Sequence, residues 1–154
     1  MRSGTRILVC AMLTMAVGLW AAEDPLMGTW KINVAKSNFG SGAAPKSQVI
    51  KLEPIGADGL KQTEVVVNEQ DETHHNDYTA QFGDNPIQGD PTKDARVLRR
   101  IDAYTMEITY KKAGKVTQQF RREVSQDGKT MTVRFTGTDA QGQPISRTMV
   151  FEKQ

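Results

Sequence analysis

The chain has 154 residues, with 20 Lys and Arg against 18 Asp and Glu, so its formal net charge at neutral pH is +2. This length fits one domain. The near balance of charge excludes nucleic acid or an anionic membrane as a partner attracted by bulk electrostatics.

The first residues have the layout of a secretory signal peptide. Two arginines form a basic start, a largely apolar and charge-free run covers residues 7–20, and Ala21 and Ala22 follow before the chain turns polar. This order is typical of a cleavable leader, and the apolar run is shorter than the roughly 20 residues of a spanning helix. We predict a signal-peptide helix over 1–21 and an exported protein, periplasmic or extracellular. A retained anchor or a buried N-terminal helix is the alternative.

The single cysteine, Cys10, falls inside this leader. Few apolar residues precede Cys10, and Val9 stands where lipoprotein processing needs a small residue, so we predict no lipid anchor. Cleavage leaves residues 22–154 as one domain without disulfide or thiol chemistry and without a stable membrane anchor. Nothing in the pattern predicts its oligomeric state.

Residues 22–154 alternate apolar and polar side chains in short segments separated by Gly, Asn and Asp, which supply the positive-φ positions of tight hairpins. Met131, Val133 and Phe135, for example, share one face of a segment. We predict an all-β domain, an up-and-down antiparallel β-barrel of about eight to ten short strands, with a two-sheet sandwich as the alternative. The predicted strands are Thr29–Val34, Gln48–Glu53, Leu60–Val67, Asp77–Phe82, Arg96–Ile101, Met106–Lys111, Val116–Val124, Thr130–Thr136 and Ile145–Phe151. The longest irregular connections are predicted at 35–47 and 83–93.

Short motifs at both ends resemble those of lipocalins and fatty-acid-binding proteins. The segment from Leu26 to Ile32 contains Gly28-Thr29-Trp30 and resembles their Gly-x-Trp start. The resemblance implies a calycin barrel in which Gly28 lets the chain enter the first strand tightly and Trp30 plugs one end. Further similar segments are Asn38-Phe39, Gly114-Lys115, Arg121-Arg122-Glu123, Asp127-Gly128-Lys129 and Phe151-Glu152-Lys153. The chain is also similar to exported bacterial lipocalin-like proteins of unknown activity.

Two departures from the fatty-acid-binding group affect function. Residues 35–47 are too few, and too rich in Gly, Ala, Ser and Pro, to form the two lid helices of that group. Met149 and Phe151 occupy the positions of its carboxylate-binding Arg-x-Tyr pair. The resemblance therefore implies the fold and does not transfer fatty-acid binding.

Arginines on otherwise apolar strand faces are the candidate binding residues. A buried guanidinium needs a partner, and its planar fork pairs bidentately with carboxylate or phosphate. The alternative is that these arginines lie near the barrel mouths, reach water, or pair with Glu64 or Glu107. The predicted ligand-binding residues are Arg122, Arg147 and Tyr110, followed by Arg99 and Gln118.

The remaining polar motifs predict neither a metal site nor catalysis. His74 and His75 are adjacent, so on a strand they point to opposite faces and do not converge on one metal; we predict a polar hairpin tip. The sequence has no Gly-x-Ser-x-Gly, Walker-type or His-Glu-x-x-His motif. The carboxylates are predicted in turns or opposite the apolar faces. We predict no cofactor and no enzyme activity.

Two functions fit this pattern. The first is an exported protein that holds a small apolar or amphipathic molecule, possibly anionic because of the arginines, in a barrel lumen. The second is a filled barrel without a ligand, which acts through its surface as an envelope or interaction protein. Large inward side chains such as Trp30, Phe82, Phe120 and Phe135 favour a substantially filled interior.

Overall fold

The computed structural model describes residues 24–138 and 141–154. The predicted signal peptide, 1–21, lies outside them. No helix in the described part is long and apolar enough to cross a bilayer, and its one helical element is the short 3-10 turn Val34–Lys36. The strands are β1 (Gly28–Ile32), β2 (Ser47–Ile55), β3 (Gly59–Val67), β4 (Thr73–His75), β5 (Tyr78–Gln81), β6 (Gly83–Pro86), β7 (Ala95–Arg100), β8 (Thr105–Lys112), β9 (Lys115–Val124), β10 (Thr130–Thr138) and β11 (Pro144–Lys153).

All strand pairs are antiparallel, and the strands form a single up-and-down sheet. Its order is β4-β3-β2-β1-β11-β10-β9-β8-β7-β6, and β5 pairs with β3 beside β4. The pairing of β1 with β11, in which Trp30 lies opposite Lys153, joins the two ends of the described chain. The predicted all-β, antiparallel, up-and-down class is confirmed, with eleven strands instead of eight to ten.

The additional strands come from one stretch of chain. The sequence predicted a single strand at 77–82 followed by an irregular connection at 83–93. The first four residues of that connection are predicted wrongly, because they form β6, which pairs with β7. Gly83, with φ +105°, lies where the chain changes partner from β3 to β7. The Asn85 amide secures this change by donating to Gln81 O at 2.8 Å and accepting from Gln81 N at 3.0 Å.

The connections follow the local sequence. Residues 37–46, between the 3-10 turn and β2, hold no helix, as their composition predicted. The Asn33 side chain caps the 3-10 turn by accepting a hydrogen bond from Lys36 N. Ala113 and Gly114 both have positive φ, +48° and +77°, as a two-residue hairpin turn requires, and they join β8 to β9.

One end of the barrel is tightly packed, and we call it the closed end. Five of its large side chains are fully buried, and the indole Nε1 of Trp30 donates to Leu26 O at 3.0 Å. Asp24 fastens the segment before β1 by a bidentate ion pair to Arg100, with N–O distances of 2.7 and 2.8 Å. The five side chains are Leu26, Trp30, Met106, Met131 and Phe151.

Gly28 enters β1 at the closed end in a conformation that other residues rarely adopt. Its φ is +121°, and a Cβ atom there would lie 2.9 Å from Lys153 Cε. The opposite end of the barrel, which we call the open end, contains the β1–β2 connection and the start of β2. The cavities described below open there.

Candidate functional site

The inward face of β3 changes from apolar to polar along its length. Leu60, Gln62 and Glu64 alternate inward, and Gln62 and Glu64 are only 2% and 8% exposed. The expectation that carboxylates lie in turns or opposite the apolar faces is therefore wrong for Glu64. Period-two alternation carries Glu64 inward with the other two residues.

Amide groups, not a cation, stabilise the buried Glu64 carboxylate. Its Oε1 accepts from Gln48 Nε2 at 2.5 Å, and its Oε2 accepts from Gln62 Nε2 at 3.1 Å and Asn76 Nδ2 at 2.8 Å. These donors come from three different strands or connections. A buried charge is tolerated when its hydrogen-bonding capacity is met in this way.

Arg122, on β9, is the buried cation of the site. It is 4% exposed, and its Nη2 donates to Gln62 Oε1 at 2.6 Å. Its Nε and Nη1 atoms are also buried and have no hydrogen-bond partner in the described part of the chain. Arg122 pairs with neither Glu64 nor Glu107, the partners considered from the sequence, because Glu107 binds Arg121. Donors on two sides of the guanidinium are thus left for another molecule.

Two tyrosines lie beside Arg122. Tyr78 donates its hydroxyl proton to Gln62 Oε1 at 3.1 Å, and burial raises the pKa of Tyr78 against the opposing positive charge of Arg122. Tyr110 accepts from Arg96 Nε at 3.2 Å, which leaves its own O–H available as a donor. The Arg96 guanidinium stacks over the Tyr78 ring, with Cζ 3.5 Å from the centroid, a favourable cation–π contact.

These groups line two adjoining spaces. The inner pocket has a volume of about 50 Å³ and is bordered by Arg122, Tyr78 and Tyr110 together with Ile50, Ile108 and Val133. The outer cavity, of about 390 Å³, falls in the range of roughly 300–1,000 Å³ of small-molecule sites. The two spaces share Gln48, Glu64, Phe120 and Met149 as lining residues.

The outer cavity extends to the open end. Its walls combine the β1–β2 connection, the start of β2, the end of β3 with residues 68–70, which include Glu69, and the inward faces of β9, β10 and β11. Phe39 and residues 43–45 cover one side, and Phe120, Phe135 and Arg147 form the other. Large apolar side chains thus fill the closed end and leave a cavity at the open end.

The structure brings four of the five predicted ligand-binding residues to these spaces. Arg122 and Tyr110 line the inner pocket, and Arg147 and Gln118 line the outer cavity. Arg99 lies elsewhere: it is exposed on the outer face of β7.

The prediction that Arg99 lies on an apolar inward face is wrong, because the face of β7 predicted to point inward is the outer one. Leu98 is the buried residue of β7, at 1% exposure, while Ile101, on the same side as Arg99 by alternation, is 43% exposed. Arg96 and Arg100 therefore accompany Leu98. Val116, which alternation places on the same face as Phe120 and Arg122, is 61% exposed at the start of β9.

Sequence reasoning missed Gln62, Glu64, Tyr78 and Arg96 as site residues. The alternation from Leu60 was the available signal for the first two. No comparable signal marked Arg96, because its contacts with Tyr78 and Tyr110 join separate strands.

The histidine pair is not a hairpin tip. His74 and His75 belong to β4, an exposed strand paired with β3. His74 Nε2 lies 3.8 Å from Glu72 Oε2 on the surface. Within residues 24–138 and 141–154, no group of three or more His, Cys, Asp and Glu side chains is arranged to hold a metal ion.

Solved structures share this architecture. No family model matches the sequence, and no curated protein matches it. The wild-type fluorescent protein UnaG aligns with 16% identity and a TM-score of 0.57, covering 84% of this chain and 97% of UnaG. A Schistosoma mansoni fatty-acid-binding protein in complex with arachidonic acid aligns with 14% identity and a TM-score of 0.56, covering 84% and 96%. Zebrafish ileal bile-acid-binding protein complexed with cholic acid gives 14% identity, a TM-score of 0.54, and 84% and 99% coverage.

These likenesses establish the fold. The chain has the calycin architecture of the fatty-acid-binding proteins, as the motifs around Gly28 and Trp30 implied. At 14–16% identity they do not carry a ligand from those proteins to this one.

Proposed function

We propose that this protein is an exported carrier or sensor that holds a small amphipathic molecule in its lumen, with an anionic head group at Arg122. The observation that carries the proposal is the buried guanidinium of Arg122, whose Nε and Nη1 have no hydrogen-bond acceptor among the described residues. A carboxylate carries the opposite charge and two acceptor oxygens, so it can accept charge-assisted hydrogen bonds from these groups. The proposal assigns no catalytic step to the site.

The two spaces suit the two parts of an amphipathic molecule. The inner pocket, at about 50 Å³, exceeds the roughly 10–15 Å³ that one water molecule needs and has room for a carboxylate. Phe120 and Met149 continue from it into the outer cavity, which can take an apolar tail. Ligands of this kind are present in two proteins of the same fold, with arachidonic acid and cholic acid.

Binding of dodecanoate and cholate, measured by isothermal titration calorimetry, tests the proposal. Arg122→Met should weaken binding of whichever probe the wild type binds more tightly by roughly 30- to 150-fold, because charge-assisted hydrogen bonds contribute about 2–3 kcal/mol. Arg99→Met is the matched control, since it removes the same charge from the outer face and should leave affinity unchanged. Equal affinities of Arg122→Met and the wild type would contradict the proposal.

The filled barrel remains the second candidate, and the packed closed end favours it. Native mass spectrometry of the protein purified from its own host separates the two. A co-purifying acid that is lost in Arg122→Met supports the carrier. A bare mass, together with no binding of either probe, supports a barrel that acts through its surface.

Export is tested separately by N-terminal sequencing of the protein outside the cytoplasm. The two-arginine start and apolar run of the leader predict a mature chain that begins at Ala22 or Glu23. A chain that begins at Met1 would contradict export by this leader.

A further inference from the structure

A second cation without a carboxylate partner lies at the outer cavity. Arg147, on β11, lines this cavity, and its guanidinium carbon is 5.8 Å from the centre of the Phe135 ring. Among the described residues, no hydrogen bond or ion pair engages its side chain. The β1–β2 connection runs directly against it, because a Cβ atom at Gly42 would lie only 2.6 Å from Arg147 Nη2. Gly42 thus leaves room for this guanidinium at the edge of the cavity.

Neither of the two guanidiniums that line the lumen has a carboxylate partner. Arg122 and Arg147 form no ion pair with a described carboxylate: amides hold Glu64, and Glu69, the other carboxylate that lines the outer cavity, is exposed. A ligand with two acidic groups would give each guanidinium a partner, and a ligand with one would not.

The positions of these groups also set the order of charge along a ligand. Arg122 borders the inner pocket, Arg147 borders the outer cavity, and Glu64 lines both spaces together with Phe120 and Met149. A negative group midway would meet the Glu64 carboxylate and two apolar side chains. The arrangement therefore favours an acid at each end and an uncharged, apolar middle.

We propose that the ligand is an amphipathic dianion, with one acidic group on Arg122 and the second on Arg147. This inference rests on the proposed function and adds a ligand class to it. Dicarboxylates with an apolar spacer have this chemistry. The partly exposed position of Arg147 places the second acidic group near the open end, where it loses less hydration than the first.

The test compares a monoacid with diacids in a mutant cycle. Affinities of dodecanoate and of a length series from octanedioate to hexadecanedioate are measured by isothermal titration calorimetry on the wild type, Arg147→Met, Arg122→Met and the control Arg99→Met. For at least one spacer, the ratio of diacid to monoacid affinity should be about tenfold higher in the wild type than in Arg147→Met. Arg122→Met should weaken both ligands, and Arg99→Met should change neither ratio nor affinity.

The outcomes separate this inference from the proposed function. If dodecanoate binds through Arg122 and the ratio in Arg147→Met equals that of the wild type at every length, the second site is wrong and the proposed function stands. If the wild type binds none of the acids, both are wrong. A monoacid lost in Arg147→Met and retained in Arg122→Met would overturn the assignment of the two groups.

Discussion

The closed and open ends of this barrel are built from the same strands but have opposite interiors. At the closed end, Trp30, Met131 and Phe151 exclude water completely. Beyond the closed end, the same inward faces continue with Gln62, Glu64 and Arg122, and unfilled space lies beside them and extends to the open end. The closed end therefore supplies stability, whereas the rest of the lumen is less tightly packed and keeps polar groups available.

The largest expected effect of a single change is at the closed end. Trp30→Ala should lower the free energy of unfolding by about 3–5 kcal/mol, because it removes a fully buried indole and leaves a cavity. Urea unfolding followed by circular dichroism measures this loss. Phe39→Ala, at the half-buried wall of the outer cavity, is the control and should cost clearly less. Equal losses would contradict the division between the two ends.

A backbone effect of intermediate size is expected beside Trp30. Gly28→Ala should cost about 1–3 kcal/mol, because an alanine at φ +121° is strained. The same urea experiment measures it. The nearest side-chain atom, Lys153 Cε, is the end of a flexible chain and can move aside. The cost should therefore persist in a Lys153→Ala background, and its disappearance there would assign it to the contact and not to the backbone.

The smallest change in stability is expected in the inner pocket, at the residue most important for binding. Arg122→Met should leave the free energy of unfolding within about 1 kcal/mol of the wild type, because losing the bond to Gln62 is offset by no longer burying two unpartnered N–H groups. Urea unfolding of Arg122→Met beside Arg99→Met checks this. A loss as large as that of Trp30→Ala would make Arg122 part of the structural core.

The sequence predicted the closed end better than the open end. The alternation of Met131, Val133 and Phe135 has one consistent interpretation, since only one register buries three apolar side chains. The segment from Arg96 to Ile101 has arginine on both faces. The sequence therefore did not show which face of this strand points inward. Arg96 and Arg100 are stabilised there by the Tyr78 ring and by Asp24, which come from distant parts of the chain.

The same reason explains the polar residues missed at the site. Glu64 is buried because amides from Gln48, Gln62 and Asn76 converge on it. Two of these three donors lie more than ten residues away in sequence. Patterning reports which face of a strand a residue occupies, but it does not report which groups meet there after the sheet curves.

The pairing of β1 with β11 has a consequence for how the chain folds. The hairpins from β8 to β11 pair strands that are neighbours in sequence. The pairing of β1 with β11, in contrast, joins Trp30 to the strand of Lys153 and requires the two ends of the described chain to come together. Joining such distant segments carries the largest loss of chain entropy. We therefore expect the C-terminal meander to form first and β1 to dock late, joining β2 to β11 and sealing the closed end in one cooperative step.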